Sequence, residues 1–454
     1  MRTAVPALLL LLMCMQACAG ASAPRGANTW DGYAEGLNET SFLAMAASLS
    51  ATFLQFGYDT ATVDGGWSTR NGGAPVMDAY GRPSPDLAKF PSAAGGRGLR
   101  PLSDAVHALG LRFGAWVIRG IPVAAVEANL PIEGSRYRAR DAVRLDKNCT
   151  WDAATLGTNA PSAAATAWYE SLARGFAAQG VDFVKADCMW PSSVGGAAFD
   201  EDVAAFASAF ARVAPQIAIS WSPGDGMTFA NGSFVAARGG AWGVMYRVTP
   251  DFHESWPALA HHLDVAAEFA PLIGANGTFP DLDMLPLGRQ APDGHRTAYS
   301  AAEQQLLMTL WAMARAPLII GARLPLDADN GATLALLTNA AVLAVNNGTR
   351  GNAPVAVQLP AGQSNTTALH AWTAVYEAAP AATAVALFNA RDEPATLGAA
   401  LPAGGCARNL WSGADEGAVQ GGVLSRTLQP HSGGLWAVAP TCSGAALPGG
   451  AAWA

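Results

Sequence analysis

The sequence has little charge for its length. Only 14% of its 454 residues are charged, against about 25% in an average globular protein. Its 27 Lys and Arg residues form no basic cluster, which excludes a nucleic-acid-binding surface. The net charge of −8 is modest and 51% of the residues are hydrophobic, which excludes a mainly disordered chain. The 49 Gly and 29 Pro indicate a loop-rich folded protein, with room for about two or three domains or one large barrel and a smaller domain.

Long apolar runs are also missing, apart from a short one near the N-terminus. Residues 7–15 are leucine-rich, follow Met1-Arg2-Thr3 and precede small residues at 17–23. This order is typical of a secretory signal peptide, which we predict to occupy residues 1–23. An N-terminal membrane anchor is the alternative, but the run is shorter than the ~20 residues that a span needs. We therefore expect no membrane attachment after cleavage, and a destination outside the cell, in the cell wall, or in a lysosome or vacuole.

No Cys-x-x-Cys pair is present, so we do not expect a zinc site. Cleavage of the leader removes Cys14 and Cys18 and leaves four cysteines: Cys149, Cys188, Cys406 and Cys442. An even number in an oxidising compartment predicts disulfides, with three possible connectivities. Secretion is also supported by six Asn-x-Ser/Thr glycosylation sequons, at Asn38, Asn148, Asn231, Asn276, Asn347 and Asn365.

Short apolar runs alternate with amphipathic stretches through most of the chain. Strands are predicted near residues 25–29, 58–63, 111–118, 181–186, 216–221, 243–248, 283–287 and 317–320. Helices are predicted at 39–56, 101–109, 163–179, 202–213, 254–269, 301–315 and 329–345. Such alternation is typical of parallel βαβ units, and eight units predict an α/β fold, a (β/α)8 TIM barrel over residues 24–350. A doubly wound open sheet is the competing fold, but no Gly-x-Gly-x-x-Gly follows the first strand.

The remaining chain has a different pattern. Residues 351–442 contain short predicted strands at close intervals, separated by Gly, Pro, Asn and Asp. This spacing predicts a C-terminal antiparallel β-sandwich. Cys406 and Cys442 both lie in it and are expected to pair. Residues 443–454 are rich in Ala, Gly and Pro and are expected to form a flexible tail.

Charged residues recur where the predicted barrel strands end, which is the catalytic face of such barrels. They are Asp64, Lys185, Asp187, Arg247, Asp251 and Asp283. Each Asp alone could be a helix cap or a turn residue, but several at one rim indicate a site, and nearby aromatic residues suit sugar rings. Two carboxylates flanking a glycosidic bond are the usual apparatus for cleaving it. Lys185 lies on the same side of its strand as Asp187 and is expected to keep Asp187 ionised. The seven His are scattered, and neither a metal nor a cofactor is implied.

Seven segments in this order resemble glycoside hydrolase family 27, the α-galactosidase or melibiase family. They are Gly26-Ala27-Asn28-Thr29-Trp30, Val63-Asp64-Gly65-Gly66-Trp67, Leu111-Arg112-Phe113-Gly114, Val184-Lys185-Ala186-Asp187-Cys188, Arg247-Val248-Thr249-Pro250-Asp251, Pro280-Asp281-Leu282-Asp283-Met284-Leu285 and Leu310-Trp311-Ala312-Met313-Ala314-Arg315-Ala316-Pro317-Leu318. The resemblance implies a retaining double displacement with Asp187 as nucleophile and Asp251 as acid/base. It also implies a Cys149–Cys188 disulfide. The implied sugar contacts are Trp30, Asp64, Trp116, Lys185, Arg247, Asp283 and Met284.

Two departures from the family pattern leave the sugar open. Gly65 stands where members of the family commonly have a second Asp, and this pair recognises the 4- and 6-hydroxyls of galactose. Ser222 stands near a position that contacts the 2-hydroxyl. We expect an exo-acting α-galactosidase of oligo- or polysaccharides first, a β-L-arabinopyranosidase second and an α-N-acetylgalactosaminidase third. A non-catalytic carbohydrate-binding protein is the alternative from another class. An acidic to near-neutral pH optimum is expected, because Asp251 must be protonated to act as the acid.

Overall fold

The computed structural model describes residues 22–70, 73, 75–190, 199–222, 243–401 and 404–441. Eight parallel strands form the first sheet, in the spatial order β8-β1-β2-β3-β4-β5-β6-β7. Leu285, just after β7, forms a parallel bridge to Ile320 in β8, which joins the two edges. The strands are β1 (Arg25–Asn28), β2 (Thr60–Val63), β3 (Arg112–Ile118), β4 (Phe183–Asp187), β5 (Ala218–Trp221), β6 (Met245–Arg247), β7 (Phe279–Asp281) and β8 (Leu318–Ile320). The predicted (β/α)8 barrel is confirmed.

Helices connect these strands. Within the described ranges they are α1 (Trp30–Tyr33), α2 (Glu39–Ser48), α3 (Arg100–Ala108), α4 (Val123–Glu127), α5 (Ala163–Ala178), α6 (Asp200–Val213), α7 (Trp256–Phe269), α8 (Ala301–Met313), α9 (Gly331–Thr338) and α10 (Ala340–Gly348). Ser162 and Ser300 cap α5 and α8, because their hydroxyls accept the N–H of the residue three positions later. A short antiparallel pair, Ile121–Pro122 with Thr155–Leu156, lies in the long connection between β3 and β4.

Two predicted elements differ from the structure. The seventh strand ends at Asp281 rather than running through 283–287, because Asp283 has a left-handed backbone with φ of 80°. The helix predicted at 329–345 is two helices, α9 and α10. Asn339 separates them: its backbone is extended and its side chain accepts the N–H groups of Ala341 and Val342, which starts a new helix.

The C-terminal part is a sandwich of antiparallel sheets. Its strands are β9 (Thr349–Val355), β10 (Val357–Gln358), β11 (Leu369–Tyr376), β12 (Thr383–Asn389), β13 (Ala395–Ala400), β14 (Cys406–Asn409), β15 (Asp415–Ala418), β16 (Val423–Leu428) and β17 (Ser432–Ala439). One sheet has the order β9-β11-β12-β17-β14-β15, and the other has the order β10-β13-β16. Leu387 and Trp436 of the first sheet pack with Leu397 and Leu424 of the second. The predicted β-sandwich is confirmed.

The two domains share a buried apolar core. Trp311 of α8 and Phe388 of β12 belong to one hydrophobic cluster that runs from the barrel into the sandwich. Gln305 of α8 donates to the carbonyl of Gly433 in β17 over 2.8 Å. Cys406 is disulfide-bonded, and its expected partner Cys442 lies outside the described residues, as do the predicted flexible tail and nearly all of the signal peptide. No helix within the described ranges has the length and apolar character needed to span a membrane.

Candidate active site

The rim at the carboxyl ends of the barrel strands surrounds a cavity of about 590 Å³. Each predicted site residue lies in the carboxyl-terminal part of a barrel strand or in the segment that follows one, so the sheet fixes the direction from which it reaches the cavity. The cavity is lined by nine of them, Trp30, Asp64, Trp116, Lys185, Asp187, Arg247, Asp251, Asp283 and Met284. Residues far apart in the sequence are thus brought to one place.

Asp187 ends β4 and is held by three hydrogen-bond donors. Trp116 in β3 donates its indole N–H to Asp187 Oδ2 over 2.9 Å. Ser222 Oγ and the backbone N–H of Cys188 each donate to Asp187 Oδ1 over 2.8 Å. Three donors on two oxygens fix the orientation of the carboxylate. The carboxylate therefore faces the cavity in a defined position.

Ser222 has a different contact from the one predicted. It is only 2% exposed and lies behind Asp187, to which it donates its hydroxyl. We expected Ser222 to contact the sugar. Its position makes it a support for Asp187 instead, because a buried hydroxyl needs a partner and this one already has a carboxylate.

Lys185 pairs with Asp64 rather than with Asp187. Its Nζ lies 2.9 Å from Asp64 Oδ2, which also accepts the Asn28 side-chain amide over 2.6 Å. Burial alone would lower the pKa of Lys185, but Asp64 and Asp187 raise it above its ordinary value. The backbone N–H of Gly65 donates to Asp64 Oδ1 over 2.7 Å. This buried pair places one fixed carboxylate and one fixed cation on the wall of the cavity.

Asp251 is paired with Arg247. Arg247 Nη1, at the end of β6, lies 2.8 Å from Asp251 Oδ1 and 3.7 Å from Asp283 Oδ2. The side chain of Asp251 is 60% exposed, whereas that of Arg247 is buried. Partial burial alone would raise the pKa of Asp251, but Arg247 and Lys185 hold it below its ordinary value. Asp251 does not cap the following helix: the Ser255 hydroxyl does, by accepting the N–H of Ala258.

Asp283 lies beneath this pair. Its Oδ2 accepts the N–H of Phe252 and its Oδ1 the N–H of Met284, both over 2.8 Å. Its own N–H donates to Asp281 Oδ1 over 2.9 Å. Burial, and the nearby charge of Asp283, raise the pKa of Asp281 to about 7. Asp283 thus joins the segment after β7 to the segment that carries Asp251.

Trp30 packs over Gly65, the position at which members of the family commonly have a second Asp. It follows β1, is 37% exposed and lines the cavity. A Cβ on Gly65 would lie 3.0 Å from Trp30 Cζ3, which is closer than an ordinary contact. The indole therefore occupies the space that a side chain at 65 would need.

Asp31 and Trp151 are among the cavity-lining residues that were not predicted from the sequence. The Asp31 carboxyl lies so close to the backbone of Gly321, just after β8, that no side chain would fit at 321. Burial, and the charge of Asp283, raise the pKa of Asp31 well above its ordinary value. Trp151 is 44% exposed and lines the same cavity from the connection between β3 and β4. The available signal for Trp151 was its place two residues after Cys149. Asp31 lies in α1, and no sequence pattern indicates its contact with Gly321.

A disulfide and a buried ion pair fix the segment next to Asp187. Cys149 and Cys188 are bonded, with their Cα atoms 6.0 Å apart. Arg119 donates Nε to the carbonyl of Cys188 over 2.8 Å and Nη1 to the carbonyl of Lys147 over 3.0 Å. Its Nη1 also lies 2.7 Å from Asp202, and both side chains are fully buried. In the part of the chain that the structure describes, no group of three His, Cys, Asp or Glu side chains is arranged to hold a metal ion.

Comparison with known proteins identifies the family of this chain. No protein-family model matches the chain. The family 27 β-L-arabinopyranosidase of Geobacillus stearothermophilus is 31% identical, with a TM-score of 0.84 over 94% of this chain and 98% of that one. A Bacillus halodurans protein, provisionally an α-N-acetylgalactosaminidase, is 30% identical, with a TM-score of 0.79 over 92% and 97%. The α-galactosidase of Oryza sativa subsp. japonica is 25% identical over 93% of this chain and 85% of its own length. The chain therefore belongs to glycoside hydrolase family 27 and is a glycoside hydrolase.

Proposed function

We propose that the protein is an exo-acting, retaining α-galactosidase that removes terminal α-D-galactosyl residues from oligo- or polysaccharides. It acts in the secretory pathway or at one of its destinations, which are the outside of the cell, the cell wall, and a lysosome or vacuole. One observation carries the proposal. Asp187, held by three donors, lines the same cavity as Asp251, which is exposed at its rim. The curated relatives support the sugar, since α-galactosidases of Oryza sativa and Coffea arabica are 25% and 26% identical over 93% of this chain.

The two carboxyls act in turn. Asp187 attacks the anomeric carbon as the bond to the leaving oxygen breaks, and Asp251 gives that oxygen its proton. Asp251, now a carboxylate, takes a proton from water. The water oxygen attacks the same carbon and displaces Asp187, so that two inversions give net retention. Trp116, Ser222 and the Cys188 N–H donate to the Asp187 carboxylate and hold it in the orientation for attack.

A β-L-arabinopyranosidase is the second candidate, and Gly65 favours it. L-Arabinopyranose shares the stereochemistry of galactose but lacks its C6 hydroxymethyl group. With no carboxylate at 65, and with the Trp30 indole packed over that position, the site offers less to the 6-hydroxyl. The Geobacillus relative with this activity supports the same reading. An α-N-acetylgalactosaminidase ranks third: the Bacillus halodurans relative supports it, but Ser222, near the expected 2-hydroxyl contact, donates its hydroxyl to Asp187.

The test compares three p-nitrophenyl glycosides: the α-D-galactoside, the β-L-arabinopyranoside and the α-N-acetylgalactosaminide. We expect kcat/KM to be highest for the galactoside, and Asp187→Asn to abolish release from all three. A higher kcat/KM for either of the other two glycosides would change the assigned sugar, but the protein would still be a glycoside hydrolase. Equal background release by the wild type and by Asp187→Asn would identify a carbohydrate-binding protein without catalysis. NMR of the first product gives the stereochemistry: a β-anomer from the galactoside would contradict retention.

A further inference from the structure

The cavity has a buried end and an exposed end, and they differ in chemistry. Asp64, Arg247 and Asp283 are each 5% exposed or less. Trp151 is 44% exposed and the Asp251 side chain 60%. A sugar held by the buried charges therefore has its departing bond directed toward the exposed end, where Asp251 must protonate the leaving oxygen.

Trp151 is an unusual exposed residue. Among the described residues, four large apolar side chains are exposed, Trp30, Leu87, Leu145 and Trp151. Of these, Trp30 and Trp151 line the cavity. Exposing an indole to water is unfavourable, and an aromatic face that is apolar yet carries an N–H suits an amphipathic ligand such as a sugar ring. The family resemblance assigns Trp30 to the sugar that is cleaved and assigns no role to Trp151.

The segment that carries Trp151 is held in place. Cys149 is bonded to Cys188, the residue after Asp187. Asp152 Oδ1 accepts the N–H of Ala154 over 2.9 Å, and its Oδ2 accepts the Thr155 hydroxyl over 3.0 Å. The backbone that carries the indole is thus held near Asp187, and little backbone freedom is lost when a ligand covers the indole.

We propose that Trp151 is the platform for the leaving group, and that the leaving group it accepts is a second sugar ring rather than a small or flexible alcohol. The proposal rests on the proposed function. The flat C–H face of a pyranose covers the indole while its linking oxygen reaches Asp251. Trp151 then contributes to the affinity for oligosaccharides and to their orientation for proton transfer, and not to recognition of the terminal sugar.

The experiment compares Trp151→Ala with the wild type on two substrates of the preferred sugar. One is its glycosyl fluoride, whose leaving group is too small to reach Trp151. The other is a trisaccharide in which the same terminal sugar is linked to another pyranose. We expect Trp151→Ala to lower kcat/KM for the trisaccharide by about 10-fold and to change kcat/KM for the fluoride by less than about 2-fold. Trp151→Phe should restore most of the loss.

Leu145→Ala provides the matched control, because Leu145 is an exposed apolar residue on the same connection but is not part of the cavity lining. Leu145→Ala should leave kcat/KM unchanged for both substrates. Equal losses on the fluoride and the trisaccharide in Trp151→Ala would overturn the proposal and indicate a structural role. Unchanged kinetics on both would overturn it as well. Failure of the proposed function is distinguishable: a different sugar would already appear in the comparison of the three glycosides, and a protein without catalysis would cleave neither substrate even as the wild type.

Discussion

Asp251 and Arg247 form an ion pair that sets the protonation state of the free enzyme. Since Arg247 lies 2.8 Å from Asp251 and holds its pKa below the ordinary value, the carboxylate form dominates at neutral pH. The proposed acid step needs the protonated form. The fraction of competent enzyme therefore rises as the pH falls toward this pKa, provided that Asp187 remains ionised.

The pH dependence of kcat/KM reports this group, because it reflects the free enzyme. For a substrate with a sugar leaving group, we expect kcat/KM to fall by up to about tenfold per pH unit on the alkaline side of an acidic optimum. The corresponding glycosyl fluoride should lack this fall, because fluoride departs without a proton. A rate on the sugar substrate that still rises above about pH 8 would exclude Asp251 as the acid.

Individual residues were predictable to different degrees. Asp187 ends a strand and Asp251 follows one, so their place at the rim could be predicted from position and residue type, whereas their catalytic roles were implied by the family resemblance. The partner of Lys185 could not, because the sequence does not say that Asp64, which follows β2 two strands away, lies closer to Lys185 than Asp187 on its own strand. Ser222 was placed at the correct rim, but its burial behind Asp187 depends on packing. Asp31 could be recognised as a site residue only once β1 and β8 were known to be neighbours.

The elements of the barrel were predictable because buried parallel strands are short apolar runs. Most predicted strands begin and end within two residues of those in the structure. The exception is β7, whose three residues Phe279–Asp281 include a proline and an acid. The apolar run that follows it, from 284 to 287, was mistaken for the strand. Likewise, apolar periodicity continues across Asn339 and conceals the break between α9 and α10.

The end of β4 depends on a buried pair that belongs to other elements. Arg119, just after β3, forms an ion pair with Asp202 of α6, and both side chains are fully buried. Its backbone N–H donates to the carbonyl of Asp187 over 3.0 Å, and its side chain to the carbonyl of Cys188. We infer that Arg119 is a positioning residue for Asp187.

Arg119→Met should lower the free energy of unfolding by about 3–5 kcal/mol, because Asp202 is left buried without its cation. Combining it with Asp202→Asn removes the buried charge and should recover part of that stability in urea unfolding. The kcat should stay reduced, by up to about 100-fold, because the carbonyl of Cys188 has still lost its donor. Recovery of kcat together with stability would show that Arg119 acts on folding alone.

At the scale of the whole molecule, the order of barrel and sandwich followed from the change in periodicity near residue 350. Their packing did not, since no sequence pattern identifies which helix face meets which sheet. The structure places α8 against β17 so closely that a Cβ on Gly433 would lie 3.1 Å from the Cα of Leu306 and 3.0 Å from Phe388 Cδ1. Glycine is needed there for the approach of two backbones rather than for its dihedral freedom.

Because barrel and sandwich residues belong to one hydrophobic cluster, we expect them to unfold together. Gly433→Val forces α8 and β17 apart and should destabilise the protein by about 1–3 kcal/mol. Two thermal midpoints should fall by the same number of degrees. One is measured by the loss of activity, which depends on the barrel, and the other by the loss of the far-ultraviolet circular dichroism signal. Gly404→Val is the matched control in the same domain, because nothing lies within 4 Å of the added Cβ. A fall in the circular dichroism midpoint with activity retained to the wild-type temperature would mean that the barrel is stable without the sandwich, and that the shared core does not couple them.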